Sequence, residues 1–218
     1  MRTVVQSLRV EHAGQLTLDF APRSTPARVI AFRRPSGEAV ESAEEWFDRG
    51  FELDDDPATR SEAQRAYEHA LELDPTYVPA LINLGNLHYG EGRPDQARTC
   101  FERAIEHEPG NAKARFNLAN VLHDRRDYQP ALILYRDAAA LTPDFADAHF
   151  NLALTCEQVG LVEEAQRHWQ HYLDLDPVGE WAAIAREHLG GDSIVLNSFV
   201  RVWSLNSLPD TVNPRGGK

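Results

Sequence analysis

The amino-acid sequence predicts an all-α fold, an α-solenoid in which four helix-turn-helix repeats form a right-handed superhelix. A C-terminal cap helix is expected to close the array, between flexible N- and C-terminal segments. The first observation is a period: prolines recur every 34 residues, each 12 residues after an alanine and eight after an aromatic residue. The second is composition, because the stretches between the prolines are rich in Ala, Leu, Glu and Arg, which favour helices. The four sets are Ala63, Tyr67 and Pro75; Ala97, Phe101 and Pro109; Ala131, Tyr135 and Pro143; and Ala165, Trp169 and Pro177.

Each period is interpreted as two antiparallel helices, helix A followed by helix B. Proline is expected to end every helix B, because it has no backbone N–H and pushes the preceding residue out of the helical conformation. Small residues of helix A should face small residues of helix B, so that the two helices approach closely. The residues expected to face each other are Gly85, Ala119 and Ala153 on one side and Ala97, Ala131 and Ala165 on the other. The turns between the helices carry Gly92, Gly160 and the pair Arg126-Asp127.

The pairs Leu84-Gly85, Leu118-Ala119 and Leu152-Ala153 recur at the same step upstream of these alanines. With them, the pattern resembles the tetratricopeptide repeat (TPR), W-x2-L-G-x2-Y…A-x3-F…P, which has a period of 34 residues. The resemblance covers about residues 41–178. It implies stacked repeats with a concave and a convex side and a role in protein–protein interaction.

The chain is expected to divide into three parts. Residues 1–40 form a flexible basic segment, in which residues 1–37 carry a net charge of +4 and residues 15–20 alternate with the period of a strand. Residues 41–189 form the TPR domain. Its repeats are expected at about 41–76, 77–110, 111–144 and 145–178, with the cap helix at 179–189. Residues 190–218 form an apolar tail that would cover the last repeat, occupy a groove or join two chains into a homodimer.

Composition and charge disfavour several classes of function. With 22 Lys and Arg against 34 Asp and Glu, the net charge of −12 disfavours direct binding to nucleic acids and to anionic membranes. No apolar run approaches the 18 residues of a membrane-spanning helix, and no secretory signal is evident, so the protein is expected in the cytoplasm. The preference for Arg over Lys, 20 to two, indicates a GC-rich, bacterial source.

The sequence contains no motif of a known catalytic or phosphate-binding site, so neither an enzyme nor a cofactor is expected. Cys100 and Cys156 lack a metal-ligand spacing and are interpreted as buried thiols. His168 and His171 could offer two metal ligands, but no third ligand falls at a suitable spacing, so no metal site is expected. The acidic run at 54–56 lacks the continuation of a calcium loop and is interpreted as a solvated turn, lengthened by one residue in an atypical first repeat.

The candidate functional surface is the concave face, to which each helix A contributes one stripe. The apolar row predicted along it is Phe47, Ile82, Phe116 and Phe150, the asparagine row is Asn83, Asn117 and Asn151, and the further groove residues are Asn86, Tyr89, Lys113, Asn120 and His123. A carboxamide can bond both the C=O and the N–H of an extended peptide. In peptide-binding TPR proteins, which this sequence resembles, asparagines at this position commonly have that role.

Two interpretations of these rows stay open. In the first, they bind a peptide, and replacing Asn83, Asn117 and Asn151 by alanine abolishes binding while leaving the melting temperature nearly unchanged. In the second, the asparagines are well-solvated consensus residues, and Phe116 and Phe150 pack between neighbouring A helices.

The expected partner is a protein or peptide, neutral or basic, because residues 38–189 carry a net charge of −17. The clamp with which some TPR domains bind an acidic C-terminus is disfavoured, since only Lys113 and Asn117 match it. The alternatives are the TPR arm of a bacterial transcriptional-regulator or signalling complex and a self-assembling structural scaffold. The stretch from GQLTLDF through VIAF to AEEWFDRGFELD resembles the TPR portion of bacterial MerR-type regulator fusions, although the DNA-binding head of such proteins is not expected here.

Overall fold

The structure is a computed structural model that describes residues 5–11, 15–20, 41–179 and 181–190. Its N-terminal unit contains two antiparallel strands, β1 (Val5–Glu11) and β2 (Gln15–Phe20), with Leu8 opposite Leu18. The alternation at residues 15–20 indicates β2, whereas β1 falls in the segment expected to be flexible. A register shift lies between Val5 and Ser7, and from Ser7 to Glu11 the sequence alternates polar and apolar residues as a strand does, a signal that the prediction of a flexible segment passed over.

Nine helices follow in the described part of the second unit, and they confirm the all-α solenoid. The helices of the repeats alternate as predicted, helix A before helix B. They are α1 (Ala43–Asp54), α2 (Arg60–Leu73), α3 (Val78–Gly90), α4 (Pro94–His107), α5 (Ala112–Asp124), α6 (Tyr128–Leu141), α7 (Ala146–Gln158), α8 (Val162–Leu175) and α9 (Ala182–Leu189). Every helix packs on its neighbours in sequence, and the A helices α3 and α5 also contact each other. The TPR pattern therefore produces a layered array in which helix A meets helix A across repeats.

The helix ends follow local chemistry. The first helix, α1, begins with a capping box, in which the Ser42 hydroxyl accepts from the backbone N–H of Glu45 and the Glu45 carboxylate accepts from that of Ser42. Each B helix ends at a residue directly before proline that leaves the helical conformation. These residues are Asp74, Glu108, Thr142 and Asp176.

The close approach within a repeat is made by a glycine against an aromatic ring. A Cβ atom on Gly85 would lie 2.5 Å from Cε1 of Phe101, and one on Gly50 would lie 2.7 Å from Cε1 of Tyr67. The Phe101 ring thus supplies the atoms nearest to the position of a Gly85 side chain, and Ala97 is buried as well. The facing of Gly85 and Ala97 stays a prediction.

The core of each repeat is built around the aromatic residue of helix B. The four residues concerned are at most 1% exposed: Tyr67, Phe101, Tyr135 and Trp169. In three repeats this ring packs on a phenylalanine of helix A, with centroids 5.7 Å apart for Phe47 and Tyr67, 5.8 Å for Phe116 and Tyr135, and 4.8 Å for Phe150 and Trp169. The predicted apolar row is therefore part of this core.

The cap helix α9 begins at Ala182, three residues later than expected, because the turn after Pro177 continues through Gly179. Ala182 and Ala185 are buried against the last repeat, and Trp181 and Ile184 pack partly on the same core. The tail expected at 190–218 lies outside the described residues beyond Gly190.

One turn between helices contains a strained residue, and this gives a stability prediction. Gly92 and Gly160 have φ angles of 71° and 81°, and Arg126 occupies the corresponding turn of repeat 3 with a φ of 65°. A side chain makes this left-handed conformation unfavourable. We expect Arg126→Gly to raise the free energy of unfolding by about 1 kcal/mol, measured by urea denaturation. Arg125→Gly, at a neighbouring residue with a negative φ, is the control and should destabilise the protein.

Candidate functional site

The A helices of successive repeats are joined by asparagine side chains. Nδ2 of Asn117 donates a hydrogen bond to Oδ1 of Asn86 at 2.8 Å, and Nδ2 of Asn151 donates to Oδ1 of Asn120 at 3.0 Å. Both bonds span 31 residues, so the same two positions meet at two successive junctions. At the first junction Phe51 replaces the accepting asparagine, and Nδ2 of Asn83 donates instead to the hydroxyl of Tyr67 at 3.1 Å. We call these five residues, Asn83, Asn86, Asn117, Asn120 and Asn151, the asparagine ladder.

Most of the asparagine ladder is buried. Asn83, Asn117 and Asn151 are 0%, 3% and 4% exposed, and Asn86 is 3% exposed. In the described part of the chain, Oδ1 of Asn117 is also buried without a hydrogen-bond partner. The three residues predicted to contact a peptide thus contact neighbouring helices in this structure. The sequence suggested asparagines in a row but not that they bond to each other.

The apolar row predicted for the groove is also buried. Its four members are only 1–2% exposed: Phe47, Ile82, Phe116 and Phe150. Phe116 lies 4.8 Å, between ring centroids, from Phe145, which precedes the next helix A. The Phe116 contact agrees with the alternative interpretation, in which Phe116 and Phe150 pack between neighbouring A helices, whereas Phe150 packs on Trp169 and Tyr172 of its own repeat. A role for these four residues in binding stays a prediction.

Four of the predicted groove residues remain accessible: Tyr89, Asn120 and His123 are partly exposed and Lys113 is exposed. All four belong to the adjacent helices α3 and α5. The hydroxyl of Tyr89 donates to the carboxylate of Asp124, at the C-terminal end of α5. Burial and this carboxylate raise the pKa of Tyr89, so the phenol stays protonated and neutral.

His123 and Asn120 have hydrogen-bonding groups whose roles are fixed by their neighbours. The hydroxyl of Thr155 donates to the backbone oxygen of Asn151 at 2.6 Å, so it accepts from Nδ1 of His123 at 3.0 Å. Nε2 of His123 is therefore an acceptor, and burial lowers the pKa of the ring and keeps it neutral. Oδ1 of Asn120 accepts from both Tyr135 and Asn151, so its remaining hydrogen-bonding group is the Nδ2 donor.

The acidic turn of repeat 1 is not fully solvated, in contrast to the expectation from sequence. Asp54 is 8% exposed and accepts a hydrogen bond from the hydroxyl of Tyr67 at 3.2 Å. Burial raises the pKa of Asp54. The reason is that α1 extends to Asp54, which places this side chain against helix α2 and leaves Asp55 and Asp56 outside.

A third histidine joins the pair noted in the sequence. Nδ1 of His149 lies 3.0 Å from Nδ1 of His168, and the His149 ring centroid lies 4.2 Å from that of His171. Nε2 of His149 and of His171 both donate to the carbonyl oxygen of Pro143, at 3.0 and 3.1 Å. Burial, followed by the charge of His149, lowers the pKa of His168 to about 4. His149 is 19 residues away on helix A, which is why spacing within one helix did not indicate it.

The remaining chemistry of the described residues is limited. Among them, no group of three or more His, Cys, Asp or Glu side chains is arranged to hold a metal ion. Both thiols are buried, which raises the pKa of Cys100 to about 11 and that of Cys156 to about 12. No helix within the described ranges is long and apolar enough to cross a membrane.

Sequence and structure comparisons identify the repeats. Two family models described as tetratricopeptide repeat match residues 82–144 and 59–104. No curated protein sequence matches the chain.

Solved structures with the same fold have a sequence identity of 22–23% to this chain. The structure titled "Crystal structure of MamA" has a TM-score of 0.58 at 23% identity, over 64% of this chain and 80% of that one. The structure of YrrB, titled a TPR protein with an unusual peptide-binding site, has a TM-score of 0.59 at 23% identity, over 69% and 75%. The structure of pilF from Pseudomonas aeruginosa has a TM-score of 0.61 at 22% identity, over 69% and 70%. Residues 43–189 therefore have the fold of a tetratricopeptide-repeat solenoid, and the family models match residues 59–144 of it.

Proposed function

We propose that this protein is a non-enzymatic, cofactor-free interaction module of the bacterial cytoplasm, which holds an extended peptide segment of a partner along its A helices. The observation that carries the proposal is the set of accessible residues Tyr89, Lys113, Asn120 and His123. These four side chains lie on two adjacent A helices and together present an aromatic ring, a cation, an amide donor and an imidazole acceptor.

The asparagine ladder supports the proposal indirectly. Because the buried amides bond across repeats, they hold the A helices at a fixed spacing, and the accessible groups above them are pre-organised. The polar groups of an extended backbone could then meet the Asn120 donor and the His123 acceptor. The buried ladder residues position this surface, while Asn120 and the other accessible residues make the contacts.

The partner segment is proposed to be neutral or basic. The net charge of −17 on residues 38–189 repels acidic ligands at low ionic strength. Locally, the Asp124 carboxylate lies beside Tyr89, which favours a cationic side chain over the Tyr89 ring. A clamp that binds an acidic C-terminus needs several cationic side chains. Lys113 is the one accessible cation among the twelve predicted groove residues.

Peptide selection followed by titration tests the proposal. Peptides are selected from an unbiased library on the wild-type protein, and their Kd is compared with that for Lys113→Ala/His123→Gln. We expect the double variant to bind at least tenfold more weakly, as about 1.4 kcal/mol of contact energy would give. The control, Arg98→Ala/Ile133→Ala, changes exposed residues of B helices and should leave Kd unchanged. A loss confined to the control variant would place the binding site on the B helices.

The two alternative functions make different predictions. A self-assembling scaffold would show a mass that rises with concentration in light scattering. The arm of a regulator would bind a DNA-binding partner and affect transcription. Part of the stretch that resembles MerR-type regulator fusions lies outside the described residues, so that resemblance stays a prediction.

A further inference from the structure

The cap helix α9 depends on its contacts with the last repeat. It has eight residues, and an isolated helix of that length is unstable in water. Its apolar contacts are made by small or partly exposed side chains: Ala182 and Ala185 are buried, and the Trp181 ring lies 6.0 Å, between centroids, from that of Phe150. A modest change in the remaining contacts therefore has a large effect on whether α9 stays docked.

One polar cluster adds to these apolar contacts near the C-terminal end of α9. Nδ1 of His188 lies 3.0 Å from Oε1 and 2.9 Å from Oε2 of Glu157, on helix α7. Oε1 of Glu157 also accepts from Nε1 of Trp169, on helix α8, at 2.8 Å. The ring centroids of His188 and Trp169 are 4.9 Å apart. We call these three residues the latch, because they connect α9 to both helices of the last repeat.

The charge of His188 is controlled by the groups that face it. The Glu157 carboxylate faces it from α7, the Trp169 indole from α8, and Glu187 adds a negative charge on α9 itself. The hydrogen bond to Glu157 raises the pKa of His188 and burial opposes it, with a net increase. His188 therefore keeps its proton to a higher pH than an unperturbed histidine, whereas His149 and His168 are protonated only at lower pH, since their pKa values are lowered.

We propose that the latch makes the docking of α9 dependent on pH near neutrality. With His188 protonated, an imidazolium–carboxylate pair holds α9 against α7 and α8. When His188 loses its proton, the ion pair becomes a weaker hydrogen bond from the neutral imidazole to the carboxylate, and α9 opens more often. Opening uncovers Trp169 and Tyr172, which are 0% and 1% exposed in the closed structure. The solenoid would then offer an apolar end face at higher pH, independently of peptide binding along the A helices.

The direction of the effect follows from linkage. A histidine whose pKa is raised on folding contributes stability that is complete below its unfolded pKa and is lost as the pH rises through the folded pKa. A shift of one pKa unit corresponds to a tenfold change in the equilibrium. We therefore expect the protection factors of the α9 amides to fall, by at least about twofold, as the pH rises above the ordinary histidine pKa of about 6.5. The amides of α5 should keep their protection over the same range.

Hydrogen exchange on the full chain tests this, with protection factors that correct for the intrinsic pH dependence of exchange. His188→Gln removes the titration but keeps a donor, so α9 should have a low protection that does not change with pH. His107→Gln, at an exposed histidine on α4, should behave like the wild type. The titration of ring protons by NMR gives a second readout, in which His188 should have a higher pKa than His149. Wild-type protection that is independent of pH, an equal fall in His188→Gln, or a pKa of His188 at or below that of His149 would overturn the proposal.

Discussion

Replacing Asn83, Asn117 and Asn151 together by alanine is expected to lower the free energy of unfolding by roughly 3–6 kcal/mol. Each substitution removes a buried hydrogen bond: to the Tyr67 hydroxyl for Asn83, to Asn86 for Asn117, and to Asn120 for Asn151. A buried donor or acceptor that loses its partner costs about 1–3 kcal/mol, and the total for three sites falls in the lower part of the resulting range because the Tyr67 hydroxyl and Oδ1 of Asn120 each keep another partner. This expectation replaces the one drawn from sequence, in which the same substitutions left the melting temperature nearly unchanged.

Urea denaturation of the triple variant measures this effect. The matched control is Gln96→Ala/Gln129→Ala/Gln166→Ala, which removes three exposed amides from B helices and should change stability by less than about 0.5 kcal/mol per site. A double-mutant cycle with Asn86→Ala and Asn117→Ala should give a coupling energy of about 1 kcal/mol, because the two side chains are joined by a direct hydrogen bond. A triple variant as stable as its control would contradict the hydrogen-bonded asparagine ladder.

Trp169→Ala is expected to cost about 3–5 kcal/mol, a substantial part of the stability of a domain of this size. Trp169 is 0% exposed, packs edge-on against Phe150 with centroids 4.8 Å apart, and donates to Glu157. Truncation leaves a large cavity, and it also removes a donor from a carboxylate that is part of the latch. Both effects act on the last repeat and on α9.

Trp46→Ala is the control for Trp169→Ala in thermal or urea denaturation. Trp46 is only partly buried, and its ring packs against His69 and below the guanidinium of Arg49, which lies 4.2 Å from the ring centroid. We expect its loss to cost about 1 kcal/mol, since exposed cation–π contacts contribute little. Equal costs for the two substitutions would show that the last repeat is not packed around Trp169.

Much of the fold follows from the sequence because its determinants are local and repeated. The prolines end the B helices, the aromatic residues of helix B fill the core, and glycine occupies two of the tight turns. Each of these depends on one residue type at one position of the repeat. The strand β1 was not predicted, although Leu8 and Val10 alternate with polar residues between Ser7 and Glu11.

The candidate site was harder to predict because it depends on contacts between repeats. The helical periodicity places Asn117 on the inner side of helix A. It does not indicate that Asn86, 31 residues earlier, accepts a hydrogen bond from the Asn117 side chain. The contacts of His149 with His168 and of Asp54 with Tyr67 join helix A to helix B within one repeat, and the spacing within a single helix does not indicate them either. A repeat-by-repeat search for pairs of polar residues 31 positions apart could have found the asparagine pairs, but not their burial.

Site-specific photo-crosslinking in living cells tests most directly the claim that the A helices bind an extended partner segment. A photoreactive amino acid is placed at position 113, on the A helices, or at position 133, where Ile133 is 59% exposed on a B helix. Position 113 should crosslink to one contiguous segment of a partner, and position 133 should give no such product. Crosslinks to that partner from position 133 alone would contradict the account.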